Sequence, residues 1–434
     1  MMSEFERAKV LVGRVEDVCL NFDAGVFDAV LCDPPYGLGF MDSAWDHQVP
    51  SPELWSKVLC VCKPGAWLMA FGGTRLHHRT VCGIEDGGWQ VRDSLAWMYG
   101  TGFPKSYNIS KGIDKAVGAE REVVGSGRSG QTRHAMAGDF AGAYDVTAPA
   151  TTDAERWEGY GTALKPAYEP ICLAQKPRDG TFVNNALTHG CGGLAIDGSR
   201  IGVEGVWPRV VSLGKSGAGD VYGAGLAGSR AAGTTNQGRW PANVILDEDA
   251  AAVLDAQSST RPAGYKTDGA HIKVAQTYDS TSFEMNANRT PHRFGDDGGA
   301  SRFFYCPKAS RKEREAGLKG FETSIVNDGR ATSIDNAYQR GDTQRRNTHP
   351  TVKPIDLIRY LARLILPPPR EDGAPRRILV PFSGSGSEMI GCLLAGWDEV
   401  VGIEMSEEYA EISRARIEHW LDGYEHGQQG PPNG

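Results

Sequence analysis

Residues 33 to 36 read Asp-Pro-Pro-Tyr and follow directly on the apolar run VFDAVLC, residues 26 to 32. Such a run, bounded by turn residues, reads as a buried strand, so Asp33 stands at a strand's carboxyl end, where ligands sit in open α/β sheets. Pro34 and Pro35 fix φ at two successive positions and supply carbonyl acceptors with no competing N–H donors. Tyr36 then offers a flat ring. A carboxylate, a carbonyl and a stacking ring together suit a planar ligand that carries an exocyclic amino group. Two acceptors gripping its hydrogens draw the nitrogen lone pair out of the ring and make it nucleophilic. A nucleobase fits that description. The bland alternative is a turn that merely ends a strand, where Asp and Pro are common.

A second group lies near the other end of the chain, in VPFSGSGS and GIE. Gly384 and Gly386 follow the strand-like run 377–382 and let the backbone pass close to a ligand, while the helix that starts after them presents free N–H groups. Glu404 ends the next apolar run, where an acid can accept from ribose hydroxyls. No Gly-Lys-Ser/Thr follows the glycines, which excludes a P-loop, and Met389 stands where a nicotinamide-binding fingerprint has its third glycine. Between the two groups, NTHPTVKP (347–354) leads into the amphipathic stretch IDLIRYLARLIL.

The elements that must position these residues alternate in type. VFDAVLC, AWLMAFGG (66–73) and DSLAWMYG (93–100) read as strands, and SPELWSKVLCVCKPG reads as a helix stopped by Pro64-Gly65. Strand 377–382, a helix to about 395, strand 399–404 and a helix to about 421 repeat the βαβ logic. The middle is rich in Gly, Ala, Ser and Thr without clear period, so a loop-rich unit is expected between two halves of one parallel-sheet core. The expected units are 1–177 with a flexible loop over about 116–165, an inserted recognition and DNA-binding region over 178–346, a second core half over 347–425, and a disordered tail over 426–434.

A net charge of −8 excludes coating of nucleic acid by overall charge, though not a local basic face. Such a face is expected at 302–319, where Arg302, Lys308, Arg311, Lys312, Arg314 and Lys319 outnumber Glu313 and Glu315 beside Phe303, Phe304 and Tyr305, with Arg340, Arg345 and Arg346 extending it. Lys105, Lys111 and Lys115 add cations just after a strand end. Nine cysteines carry no CxxC pair or zinc-ligand spacing, so reduced thiols and no metal site are expected. No apolar stretch reaches the ~18 residues that span a bilayer, and the start MMSEFERAKV lacks signal-peptide character; the expectation is a cytoplasmic protein with no membrane partner.

Asp33-Pro34-Pro35-Tyr36 matches the motif of amino-methylating DNA methyltransferases, which modify adenine N6 or cytosine N4 with S-adenosyl-L-methionine. NTHPTVKP, PFSGSGS and GIE resemble the cofactor half of the same family, and the order, catalytic motif first, resembles its beta class. Val380 and Ser387-Glu388 depart from the acid and the paired threonines that members often carry there.

The resemblance implies a Rossmann-like methyltransferase fold, a mostly parallel seven-stranded sheet in permuted order with a large loop-rich insertion. It implies catalysis by Asp33, Pro34, Pro35 and Tyr36. Cofactor binding falls to Asp33, Thr351, Lys353, Phe382, Ser383, Gly384, Ser385, Gly386 and Glu404. DNA contact is expected from Lys105, Arg302, Lys308, Arg311, Lys312, Arg314, Arg345 and Arg346. The expected activity is site-specific methylation of adenine N6 in double-stranded DNA by base flipping, direct from sulfonium to nitrogen and without metal. The alternatives are cytosine-N4 methylation, a methyltransferase for RNA or protein, and a non-catalytic DNA-binding protein that kept the fold. The reading allows a homodimer and does not reveal a restriction endonuclease partner or the recognition sequence.

Overall fold

The computed structural model describes residues 7–39, 46–100, 102, 106–128, 143–202, 207–212, 229–235, 237–259, 298–307, 311–326, 343–349 and 351–425. The first part of the chain forms β1 (Ala8–Val12), α1 (Val15–Val18), β2 (Phe27–Cys32), α2 (Pro52–Val61), β3 (Cys62–Phe71), α3 (His77–Asp86) and β4 (Gln90–Met98). Then come α4 (Ile109–Ala116), β5 (Val123–Arg128), β6 (Ala143–Thr147), α5 (Thr152–Arg156), β7 (Tyr168–Gln175), α6 (Phe182–His189), β8 (Trp207–Ser212), β9 (Ser229–Thr235), β10 (Val244–Leu246) and α7 (Glu248–Ser258). The last part holds α8 (Arg311–Glu315), β11 (Ser324–Val326), β12 (Thr343–Arg345), α9 (Ile355–Leu364), β13 (Arg377–Pro381), α10 (Ser387–Ala395), β14 (Glu399–Glu404) and α11 (Glu407–Glu425).

One sheet carries the fold, in the order β1-β14-β13-β2-β3-β7-β4-β10. β2 is flanked in parallel by β13 and β3, although some 345 residues separate it from the first. Both faces of β2 are covered: Ala29 and Leu31 pack with α9 and α10, and Val30 and Cys32 with α2. That double burial is why FDAVLC reads as a continuous apolar run rather than an alternating one. Asp28, within the same run, stays buried because Lys63 and Arg370 pair with it and the Arg377 backbone N–H donates to it at 2.8 Å.

The mostly parallel Rossmann-like sheet agrees with the sequence reading, and three details depart from it. The sheet has eight strands; the extra one, β10, comes from the region expected to lie outside the core and pairs in parallel with β4, Val244 against Ala96. Of the stretch 116–165, expected as a flexible loop, residues 129–142 lie outside the described residues, and the rest holds the antiparallel pair β5–β6 and helix α5. It is organised by buried Asp114, which accepts from Arg121 at 2.7 Å and Thr151 Oγ1 at 2.7 Å. Helix α2 ends at Val61 and not at Pro64, because Cys62 already pairs with Phe27 across the sheet.

β7 runs antiparallel to both neighbours. Its first residues therefore emerge at the same sheet edge as the last residues of β2, β13 and β14. That edge carries the site.

Candidate active site

At the end of β2, Asp33 sits in a closed ring of polar groups. Its Oδ1 accepts from the Tyr36 hydroxyl at 2.7 Å and its Oδ2 from Lys353 Nζ at 2.6 Å. The same two groups reach Glu169, on β7: the Tyr36 hydroxyl lies 3.1 Å and Lys353 Nζ 3.3 Å from Glu169 Oε2. Burial favours the neutral amine of Lys353, but Asp33 and Glu169 outweigh it and hold the ammonium charged. Burial and then the same carboxylates push the Tyr36 phenol well above its ordinary value, so Tyr36 is a hydrogen-bond donor and not a base. The ring of Tyr36 lies against the backbone of Gly73, where a Cβ would stand 2.9 Å from Tyr36 Cδ2.

A residue with no sequence signal aims this loop. Asp46 accepts from the backbone N–H of Tyr36 at 2.7 Å and of Gly37 at 2.9 Å through Oδ1, and of Leu38 at 3.2 Å through Oδ2. Asp46→Ala strands three donors. We expect it to lower stability by ~2 kcal/mol or more and to slow turnover at least ~10-fold as Tyr36 loses its position, with Asp46→Asn in between. Melting temperature and methyl-transfer rate on the same samples check this; a wild-type rate would remove Asp46 from the site.

The glycine turn follows β13. Phe382 adopts φ 61°, strain that a bulky residue holds only where its surroundings impose it. Glu404, at the end of β14, accepts from the Gly384 N–H at 2.8 Å and the Ser406 N–H at 2.8 Å. Each of its oxygens keeps a lone pair for a ligand. Beneath the turn lies Arg416 of α11, fully buried, whose Nη1 donates to the Ser385 carbonyl at 2.5 Å and to Ser387 Oγ at 3.0 Å. Burial lowers this guanidinium to about 10, which leaves it charged at neutral pH.

Both groups open into one cavity of about 1590 Å³. Asp33, Pro34, Pro35, Tyr36, Thr351, Phe382, Gly384, Ser385 and Glu404 line it, as do Glu169 and Glu388. Lys353, Ser383 and Gly386, expected to bind cofactor, do not. Lys353 is turned onto Asp33, Ser383 is fully buried, and a Cβ on Gly386 would meet Ser413 Oγ of α11 at 2.4 Å, facing away from the cavity. The cavity fits a nucleoside cofactor together with a base: it exceeds the ~300–1,000 Å³ of a pocket for one small ligand. The glycine turn, the Glu404 carboxylate and Asp33 with Tyr36 all face it.

Glu388, in the first turn of α10, is a buried carboxyl that lines the cavity. Burial first, then Asp33, raise it from 4.5 to about 7. Between those values the folded protein keeps a proton that the unfolded chain has released, so this group's contribution to stability falls as pH rises through that window. Glu388→Gln is therefore expected to melt higher than wild type at about pH 8 and no higher at pH 4.5. Equal shifts at both values would contradict the assignment.

The expected basic face turns partly inward. Arg314 Nη2 donates to the His349 carbonyl at 2.7 Å, and Arg302 Nη1 to the Gly299 carbonyl at 2.6 Å. Glu313 and Glu315 accept from the backbone N–H of Ile355 at 3.3 Å and of Arg346 at 3.1 Å. The segment thus braces the loop that carries Lys353. Arg302, Arg314, Arg345 and Arg346 do not line the cavity. Lys105 and Lys308, and the side chains of Arg311 and Lys312, lie outside the described residues. No metal-holding cluster of His, Cys, Asp or Glu occurs among the described residues, and no described helix is long and apolar enough to cross a membrane.

A strand-end carboxylate, an aromatic neighbour and a glycine turn thus surround one cavity at the edge of a mostly parallel α/β sheet. The family model for DNA methylases of the N6/N4 type matches residues 27–415, and the chain belongs to that family. It is a DNA methyltransferase, and its methyl donor is S-adenosyl-L-methionine. Several solved structures are similar to it at low identity. M1.HpyAVI with S-adenosylmethionine is 11% identical over 94% of this chain and 98% of that one, TM-score 0.35. The TTHA0409 protein of Thermus thermophilus, complexed with S-adenosyl-L-methionine, is 11% identical over 96% and 95%, TM-score 0.37. The cytosine-N4-specific PvuII DNA methyltransferase is 10% identical over 97% and 92%, TM-score 0.39. The comparison with curated proteins gave no match.

Proposed function

We propose that this enzyme methylates the N6 amino group of adenine in double-stranded DNA, with the base flipped out of the helix. The observation that carries the reading is Asp33 at the end of β2, lining with Pro34, Pro35 and Tyr36 the same cavity as the glycine turn and Glu404. An aspartate at the head of the motif favours adenine; by family resemblance a serine there favours cytosine. The bound cofactor supplies an electrophilic methyl group on a sulfonium. Asp33 accepts from the amine, and the Tyr36 ring gives the extruded base a stacking surface. Glu404 and the backbone of Gly384 and Ser385 hold the nucleoside end of the donor. Because a paired base buries its amino group in the stack, Asp33 can reach that group only on an extruded nucleotide and not in an intact duplex.

The test is mass spectrometry of nucleosides from DNA of cells that express the protein, with sequencing for context. N6-methyladenine is expected. N4-methylcytosine would move the assignment to the other base, and neither product from a folded, cofactor-binding protein would favour the non-catalytic alternative.

A further inference from the structure

We propose that Glu169 is a positioning residue that releases Asp33 for the substrate amine by taking over Lys353 and Tyr36. This rests on amine methylation at Asp33, whichever base carries the amine. In the structure both oxygens of Asp33 are engaged, Oδ1 by the Tyr36 hydroxyl at 2.7 Å and Oδ2 by Lys353 Nζ at 2.6 Å. A carboxylate so occupied is a weaker acceptor for an incoming NH2. Each oxygen keeps a second lone pair for the amine, and its pull on that amine strengthens when one of those donors moves away.

Glu169 is the group within reach of both. One of its oxygens, Oε2, lies 3.1 Å from the Tyr36 hydroxyl and 3.3 Å from Lys353 Nζ. A phenol has one proton to donate and a carboxylate has none, so Tyr36 cannot serve Asp33 and Glu169 at once. The shorter contact gives the proton to Asp33 here, and a small rotation of the hydroxyl gives it to Glu169. Lys353 has three donors, directed at Asp33, Glu169 and the Tyr36 oxygen, the last at 3.3 Å. It can slide toward Glu169 without leaving the ring or losing its charge partner. No buried charge is exposed or stranded in the exchange, which keeps its cost low.

The fold explains why Glu169 can do this. It is the second residue of β7, whose antiparallel direction brings that strand's start to the edge where β2 ends. With its side chain 23% exposed on the cavity wall, against 6% for Lys353, it can also accept a partner that arrives with the substrate.

The experiment compares Glu169→Gln, Glu169→Asp and wild type in single-turnover methyl transfer, with melting temperature and calorimetric S-adenosylmethionine affinity on the same proteins. Glu169→Gln keeps the shape and removes the charge. It is expected to slow the transfer step at least ~10-fold while the KM for DNA and the cofactor affinity change little, and Glu169→Asp should restore part of the rate. In a Tyr36→Phe background, where Asp33 Oδ1 carries no phenol, the Glu169→Gln substitution should cost less than half the factor it costs in wild type. An undiminished factor in that background overturns the exchange, as does a wild-type transfer rate in Glu169→Gln. A loss confined to KM or to melting temperature also overturns it, since that would make Glu169 a base contact or a structural residue. If wild type transfers methyl groups to neither adenine nor cytosine, the amine-methylation reading itself fails, and this proposal with it.

Discussion

Asp33→Ala is expected to slow methyl transfer at least ~100-fold, the loss typical of removing one positioned acceptor or donor from a reacting centre. The cofactor should still bind, because Glu404 and the glycine turn stand on β14 and after β13, strands that this substitution does not touch. The fold should also survive, with some loss. Removing one partner of a buried pair costs ~3–5 kcal/mol when the other charge is left alone, but Lys353 keeps Glu169 at 3.3 Å, so the cost falls below that range. Asp33→Asn retains an acceptor oxygen and loses the charge that answers a cationic amine, so it should fall between Ala and wild type. A tritiated-methyl assay, calorimetry and melting on the same samples separate chemistry from folding. Near wild-type turnover in folded Asp33→Ala would mean that this motif is not the catalytic centre.

Gly386→Asp is expected to be the more severe change for the protein as a whole. Position 386 has φ +83°, where an L side chain costs ~1–2 kcal/mol, and its Cβ would lie 2.4 Å from Ser413 Oγ and 3.2 Å from Ser413 Cα. Overpacking of that kind adds ~1–3 kcal/mol, so the sum is a large part of the ~5–15 kcal/mol that holds a domain together. Ser413 is fully buried on α11, which leaves no room for retreat. Loss of cofactor binding then follows from displacement of the turn, and not from a side chain entering the ligand's space. The milder Gly386→Ala distinguishes the two causes. It should lower the melting temperature, and Ser413→Ala in the same chain should recover part of the loss by removing the clashing hydroxyl. Cofactor affinity lost at an unchanged melting temperature would place Gly386 against the ligand after all.

Much of this site was written locally. FDAVLC, with Asp33 at its end, announces a strand buried on both faces and the residue it delivers to the sheet edge. FSGSGS announces a turn that only glycines can make, and the spacing to Glu404 announces the next strand end. Each of these is an interaction among residues a few positions apart, so composition and order suffice to state it. The beginnings of α9, α10 and α11 were legible for the same reason.

The partners of the charges were not. Lys353 reads as a cofactor contact, and the structure closes it on Asp33, 320 residues away; Glu169 carries no sequence signal. Its place in the site depends on the direction of β7, and a strand's apolar pattern is the same whichever way it runs. Arg302 and Arg314 look like phosphate contacts in a cationic stretch, yet their guanidinium groups also find backbone carbonyls. Asp46 and Arg416 carry no local signal, because what each holds, the loop after Asp33 and the turn after β13, reaches it through the fold. The sequence by itself determined the strands, the turn and the two motifs, since short-range sterics and burial decide those. Which charges face one another across the cavity was decided by the tertiary structure alone, because chain direction and strand order set distances that no local pattern encodes.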